Sequence, residues 1–412
     1  MNRRRVLAAA TAAASIVGLS ACAASSNTSA SSPSASTPAT TQGISSGKVI
    51  TLGLTGPQTG ALAVAGSIGL GALAYYNQLN AAGGVNGYTF KLIRIDDGYD
   101  PTQTVTAVRT LWQTDKVFGL FEPYGSDEVA AIKQYVEQNN IPLIFPYAAN
   151  TEIFPASDPA PANAFGINAS YSGQVSALVK YATSVLGAKS IAILHTTDDL
   201  GMSGVAPAQA AAAADGASIV ANIGYSPTET NFAPYGQRLA SSKAQAVIVW
   251  AIPGATQILT AARNSGWEGD IMLNDAFRGG FFETALAAVP HVAGKAYLVA
   301  GEDLITQPGL TNFLTTIKKD YPTADTTQAL TGWGAAALLA HAVDIATKSG
   351  TPLTWATLAK AFESIQNYSG QGMQAVSFSA SNHVGVNSAQ MLEFEGGATF
   401  KQVQGFEPLP AS

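Results

Sequence analysis

Cysteine is almost missing from this 412-residue chain: there is one, Cys22, beside four histidines, His195, His291, His341 and His383. A disulfide scaffold needs paired cysteines, and structural zinc or iron–sulfur sites need several thiolates or imidazoles at set spacings, so both are excluded. The four histidines show no metal-ligand spacing, and neither a phosphate loop nor an H-E-x-x-H helix is present. No cofactor and no metal is expected, and adjacent acids such as Asp96-Asp97 and Asp198-Asp199 read as turn formers or helix caps, not as catalytic pairs. Charge is scarce too, at 12% of residues against 47% apolar, which excludes a disordered polyelectrolyte and points to a packed body. That charge leans acidic, 27 Asp and Glu against 21 Lys and Arg, so nucleic acid is an unsuitable partner.

The start of the chain differs from the rest. Met1 to Arg5 is short and basic, and Val6 to Leu19 is apolar but too short for a membrane span of about 20 residues. Leu19-Ser20-Ala21-Cys22 follows. Residues 1–21 therefore read as an export leader. Leu19 to Cys22 resembles the lipobox of bacterial lipoproteins, which implies cleavage before Cys22 and lipid on its sulfur. Arg3-Arg4-Arg5-Val6-Leu7 resembles a twin-arginine signal, with Val6 where Phe is usual, and leaves the export route open. Residues 22–47, rich in Ser, Thr, Ala and Pro, read as a flexible tether that would hold a folded body at the outer face of the cytoplasmic membrane.

From Lys48 onward, short β-branched runs alternate with Ala-rich stretches. The strands expected are Val49 to Leu54, Phe90 to Ile95, Val117 to Phe121, Pro142 to Phe145, Ser190 to His195, Ser218 to Tyr225, Ala246 to Trp250, Asp270 to Leu273 and Ala296 to Ala300. Near-continuous apolar runs are the pattern of strands covered by helices on both faces, hence an α/β fold with parallel sheets. A long helix is expected over Gly60 to Ala82, ending at paired glycines. After Gly301 helices dominate, near Gly309 to Asp320, Thr327 to Lys348 and Thr354 to Gln366. Met373 to Phe378 and Gln390 to Glu395 then read as late strands, as though the chain returned to complete earlier domains.

Three ordered motifs carry a family resemblance: Gly56-Pro57-Gln58-Thr59-Gly60, Asn80-Ala81-Ala82-Gly83-Gly84-Val85-Asn86-Gly87, and Asp96-Asp97-Gly98-Tyr99-Asp100-Pro101. With Gly187 to Ile193, Asp198-Asp199-Leu200-Gly201 and Thr331-Gly332-Trp333-Gly334, the body resembles the type I periplasmic binding proteins. The similar branch is that of the leucine/isoleucine/valine-binding receptors of ABC importers. The resemblance implies two Rossmann-like lobes joined by three crossovers, with a solute held between them and passed to permease subunits. The crossovers are expected near Asn168, Ala300 and Gln374, giving one lobe of residues 48–168 plus 300–374 and another of 169–299 plus 375–412. A receptor informing a membrane sensor would share this sequence pattern, and an α/β enzyme is the remaining alternative.

The resemblance also suggests where a solute would sit. Tyr124, Gly125 and Ser126 fall on the family's ligand-contacting serine loop, although Ser126 would serve equally as a plain helix N-cap. Tyr147, Ala148 and Ala149 fall on the loop whose backbone and Thr hydroxyl hold the substrate, with Ala149 in place of that Thr. Asp275 matches an acid that faces an ammonium group, or else caps a helix. Ala65 and Leu200 stand where the family carries aromatic residues, while Tyr124, Tyr147, Trp250 and Phe277 bring aromatic surface to other strand ends. A reshaped pocket is the expectation, for a small amino-acid-like or related organic solute.

Overall fold

The computed structural model describes residues 42–44, 47–149, 161–397 and 399–410. Cys22, the leader and most of the expected tether lie outside the described residues.

Five parallel strands form the first sheet, in the spatial order Thr89–Asp96, Val49–Gly56, Gly119–Phe121, Leu143–Ile144, Ala164–Phe165. Seven form the second, in the order Thr399–Pro408, Ser388–Gly396, Ala296–Ala300, Asp270–Leu273, Ala246–Trp250, Ser190–Thr196, Ser218–Tyr225. Its last two strands in the chain are antiparallel additions, and the other five are parallel. Both parallel sets follow one winding rule, second strand beside first and then outward on the other side. Each sheet therefore has a switch point, between Val49–Gly56 and Gly119–Phe121 in one and between Ser190–Thr196 and Ala246–Trp250 in the other.

Burial explains the strands. Every residue of Ala246–Trp250 and of Ala296–Ala300 is buried, because helices lie on both faces. In the first lobe Leu52, Tyr76, Phe121, Phe145, Phe165 and Phe362 share one apolar cluster. The helices Ser67–Ala81 and Thr326–Thr347 cross within that lobe at backbone distance: a Cβ added at Gly71 would overlap the Ala329 carbonyl, and one at Gly332 the Ile68 carbonyl. Thr326–Thr347 is long and apolar enough to cross a membrane, yet it is a core helix with most of its length buried.

The long helix expected from Gly60 is shorter. Gly60 takes a left-handed φ of 81°, a single 3-10 turn follows at Ala63–Gly66, and the helix proper is Ser67–Ala81. The loop so released carries Leu62 into the apolar cluster of the second lobe.

The chain passes between sheets three times: between Phe165 and Tyr171, between Ala300 and Thr311, and before Ser388. The third passage falls later than Gln374. Met373–Val376 pairs with Tyr368–Gly370 in a separate hairpin, and Phe378 and Val386 still pack in the first-lobe core. Phe378 lies edge-on to Phe165 at 5.4 Å, and that aromatic anchoring keeps the segment in the first lobe.

Candidate functional site

At a switch point the loops leaving adjacent strands turn to opposite faces, which opens a crevice at the strand ends. Both crevices of this protein meet at one cavity. From the first lobe it is lined by Tyr99, Tyr124, Gly125, Ser126 and Tyr147, and from the second by Tyr171, Leu200, Trp250, Ile252, Asn274, Asp275 and Ala276. The cavity is about 30 Å³, room for about two waters. A larger solute enters only if the lobes part or rings swing aside.

Aromatic surface dominates the walls. Tyr124 and Tyr147 stack with centroids 5.0 Å apart and planes 10° from parallel, held by a backbone bridge between the same two residues. Tyr99 leans on Tyr124 at 6.0 Å, in a left-handed conformation fixed where Asp97 Oδ1 accepts its backbone N–H. From the other lobe Tyr171 meets Trp250 edge-on at 5.5 Å, and Trp250 Nε1 donates to Ser203 Oγ.

Tyr171 begins the helix Tyr171–Ser184, whose N-cap Ser170 accepts the Gly173 N–H. Its hydroxyl reaches across the cleft to Ser126 Oγ at 2.8 Å and also accepts the Ala149 N–H. Burial pushes the phenol up to about 12, against the lowering effect of the Ser126 hydrogen bond. It stays neutral at any physiological pH.

Asp275 is the one carboxylate among the described lining residues. Gln174 Nε2 donates to its Oδ2 across a long 3.5 Å. Burial pushes the carboxyl up to about 6, with Arg278 pulling the other way. Arg278 is itself engaged with Glu302, at 2.7 Å. Burial opposes the guanidinium charge, but Glu302 and its neighbours outweigh it and hold the group above its usual value. Thr331 Oγ1 donates to Glu302, and Gln328 Nε2 donates to the Arg278 carbonyl, so the helix Thr326–Thr347 of the first lobe is tied to this pair. Glu122 is buried with neither carboxyl oxygen hydrogen-bonded among the described residues, and burial, then Glu302, push its carboxyl well above the usual range.

The structure thus brings together Tyr124, Gly125, Ser126, Tyr147, Leu200, Trp250 and Asp275, seven of the residues expected from sequence. Three others stand off the cavity wall. Ala148 packs with Val129 and Ile132, and Ala149 contributes only its N–H, to Tyr171. Phe277 is 1% exposed and packs against Phe282 at 6.0 Å, because the short turn Asp275–Phe277 points it inward. Ala65 packs against Tyr124 and Ile68. Sequence reasoning missed Tyr99, Tyr171, Ile252, Asn274 and Ala276. Tyr99 stood in a quoted motif and Tyr171 lay just past the expected crossover at Asn168, so both had a weak signal.

Comparisons with known proteins agree with this geometry. Residues 49–398 match the periplasmic binding protein family. A curated relative, an amino acid binding protein of Pseudomonas aeruginosa, is 25% identical over 228 residues, 55% of this chain and 60% of the relative. The chain thus spans about 60% of the length of that relative. A fatty acid ABC transporter substrate-binding protein from Thermomonospora curvata superposes with a TM-score of 0.77 at 21% identity, covering 89% of this chain and 94% of the other. A branched-chain amino acid ABC transporter protein from Thermus thermophilus, solved with bound valine, gives 0.77 at 20% identity, covering 87% and 96%. At these identities the two structures share the fold: two α/β lobes with parallel-sheet cores. On the breadth of the match, the chain belongs to the periplasmic binding protein family.

Proposed function

We propose that this protein is an extracytoplasmic receptor that captures a small organic solute between its lobes, closes over it and delivers it to the permease of an ABC importer. The observation that carries this reading is the convergence of both switch points on one cavity walled by both lobes. A site shared in this way is complete only when the lobes are together, so solute binding and closure are one event. Ser126, Tyr124, Gly125, Tyr147, Leu200, Trp250 and Asp275 are the proposed contacts, and Ala149 acts through its N–H. Lipid on Cys22 and a tether up to residue 47 would keep the receptor beside its permease. No covalent step is part of this function.

The test is a thermal-shift screen of the full chain against amino acids, amides, short carboxylic acids, amines and sugars, with each compound recovered and analysed afterwards. A true ligand at 100 times its Kd adds roughly 2.7 kcal/mol, a rise of a few degrees. A hit recovered unchanged supports the receptor. Silence across the panel, or turnover of any compound, overturns it.

A further inference from the structure

Among the described residues of the cavity wall, Ser126, Asn274 and Trp250 already have their side-chain donors engaged, and what else the wall offers an anion is the neutral phenol hydroxyls of Tyr99, Tyr124 and Tyr147. Ser126 Oγ and the Ala149 N–H face the Tyr171 oxygen. Asn274 Nδ2 donates to the Val249 and Ala251 carbonyls, and its Oδ1 accepts the Ala276 N–H. Trp250 Nε1 is bound to Ser203. No lysine, arginine or histidine is among the described lining residues, and the nearby Arg278 is neutralised by Glu302. A solute carboxylate entering here meets no cation among the described lining residues and only neutral phenol hydroxyls as donors, and it approaches Asp275, a like charge in a place with little water.

The acceptor side is the reverse. A carboxylate has about four lone-pair sites, and Asp275 spends them on its own backbone N–H and one long contact with Gln174. Around it stand the rings of Tyr124, Tyr147 and Tyr171, each close enough for the Asp275 charge to act on its phenol. Aromatic faces beside a lone carboxylate form a setting that attracts organic cations through both the charge and the ring quadrupoles.

Resting on the receptor reading above, we infer that the solute is a small organic cation without a carboxylate, an amine or quaternary ammonium with a short apolar body. Asp275 takes the positive group, the stacked Tyr124–Tyr147 pair and Trp250 enclose it, and Tyr171 fills the Ser126–Ala149 corner with a phenol of the protein's own. Tyr171 is thereby a specificity residue: its phenol takes the Ser126–Ala149 corner that a solute carboxylate would otherwise occupy.

Three probes with one aliphatic body separate the charges: 3-methylbutylamine, leucine and 4-methylpentanoate, titrated calorimetrically into the full chain. The amine is expected to bind at least tenfold more tightly than leucine, and the acid not to bind. Asp275→Asn should weaken the amine at least tenfold while leaving the far-ultraviolet spectrum and cooperative melting intact. Tyr171→Phe, which removes the oxygen from the Ser126–Ala149 corner, should lower the ratio of amine to leucine affinity at least fivefold. Leucine or the acid binding more tightly than the amine, or amine binding indifferent to Asp275→Asn, overturns the cation assignment and leaves the receptor reading standing. Absence of binding by all three overturns it too, and the broader thermal-shift panel then decides the receptor reading separately.

Discussion

Glu128 should make the protein less stable as pH rises through neutrality, and Glu128→Gln should abolish that loss. It is the third residue of the helix Ser126–Gln138, it is 1% exposed, and its Oε2 has no hydrogen-bond partner. The helix N-terminus favours an anion there, but burial wins, and Asp127, Asp97 and Asp198 add to it, so the carboxyl is pushed up from 4.5 to about 8. A carboxyl with a folded pKa above its unfolded one binds its proton more tightly when folded. The stability it contributes is therefore whole below pH 4.5 and is lost as pH climbs toward 8. At about 1.36 kcal/mol per unit, the loss reaches about 3 kcal/mol at pH 7 and about 5 above pH 8. Glutamine keeps the size of the protonated acid and cannot ionise. Urea unfolding of both proteins at pH 5 and pH 8 should show the variant's advantage growing by about 3 kcal/mol between the two. An advantage that does not change with pH would mean that Glu128 is solvated, and would refute the reasoning.

Other outcomes follow from the same geometry. Gly71→Ala places a methyl on the Ala329 carbonyl and must push two core helices apart, so a loss of about 1–3 kcal/mol is expected in thermal or urea melts. Glu302→Gln leaves Arg278 buried without its counterion and should cost about 3–5 kcal/mol in urea unfolding, whereas Arg278→Met with Glu302→Leu should recover most of it. Affinity for 3-methylbutylamine should fall about tenfold per unit as pH drops below about 6, because the ionised form of Asp275 is the one that binds, and Asp275→Asn should flatten that profile in calorimetry.

Much of this architecture was legible in the chain. Ser218–Tyr225, Ala246–Trp250, Asp270–Leu273 and Ala296–Ala300 fall where their residues imply, because β-branched runs between turn formers leave little choice of conformation. Ala164–Phe165, two residues long, and Thr399–Pro408, polar and mostly exposed, carry no such pattern and form because a neighbouring strand is waiting to pair with them. The loops of the site were legible for the same local reasons: Ser126 opens a helix after a buried strand, and Asp275 follows another. Their relations were not. Ser126 and Tyr171 are 45 residues apart, and Gln174 and Asp275 are 101 apart, so no short window of sequence records that they meet. Local pattern determines which segments become buried strands and which loops top them. Only the winding of two sheets and the closing of two lobes decide that a tyrosine from one fills the donor corner of the other, leaving Asp275 as the one charged side chain among the described cavity residues.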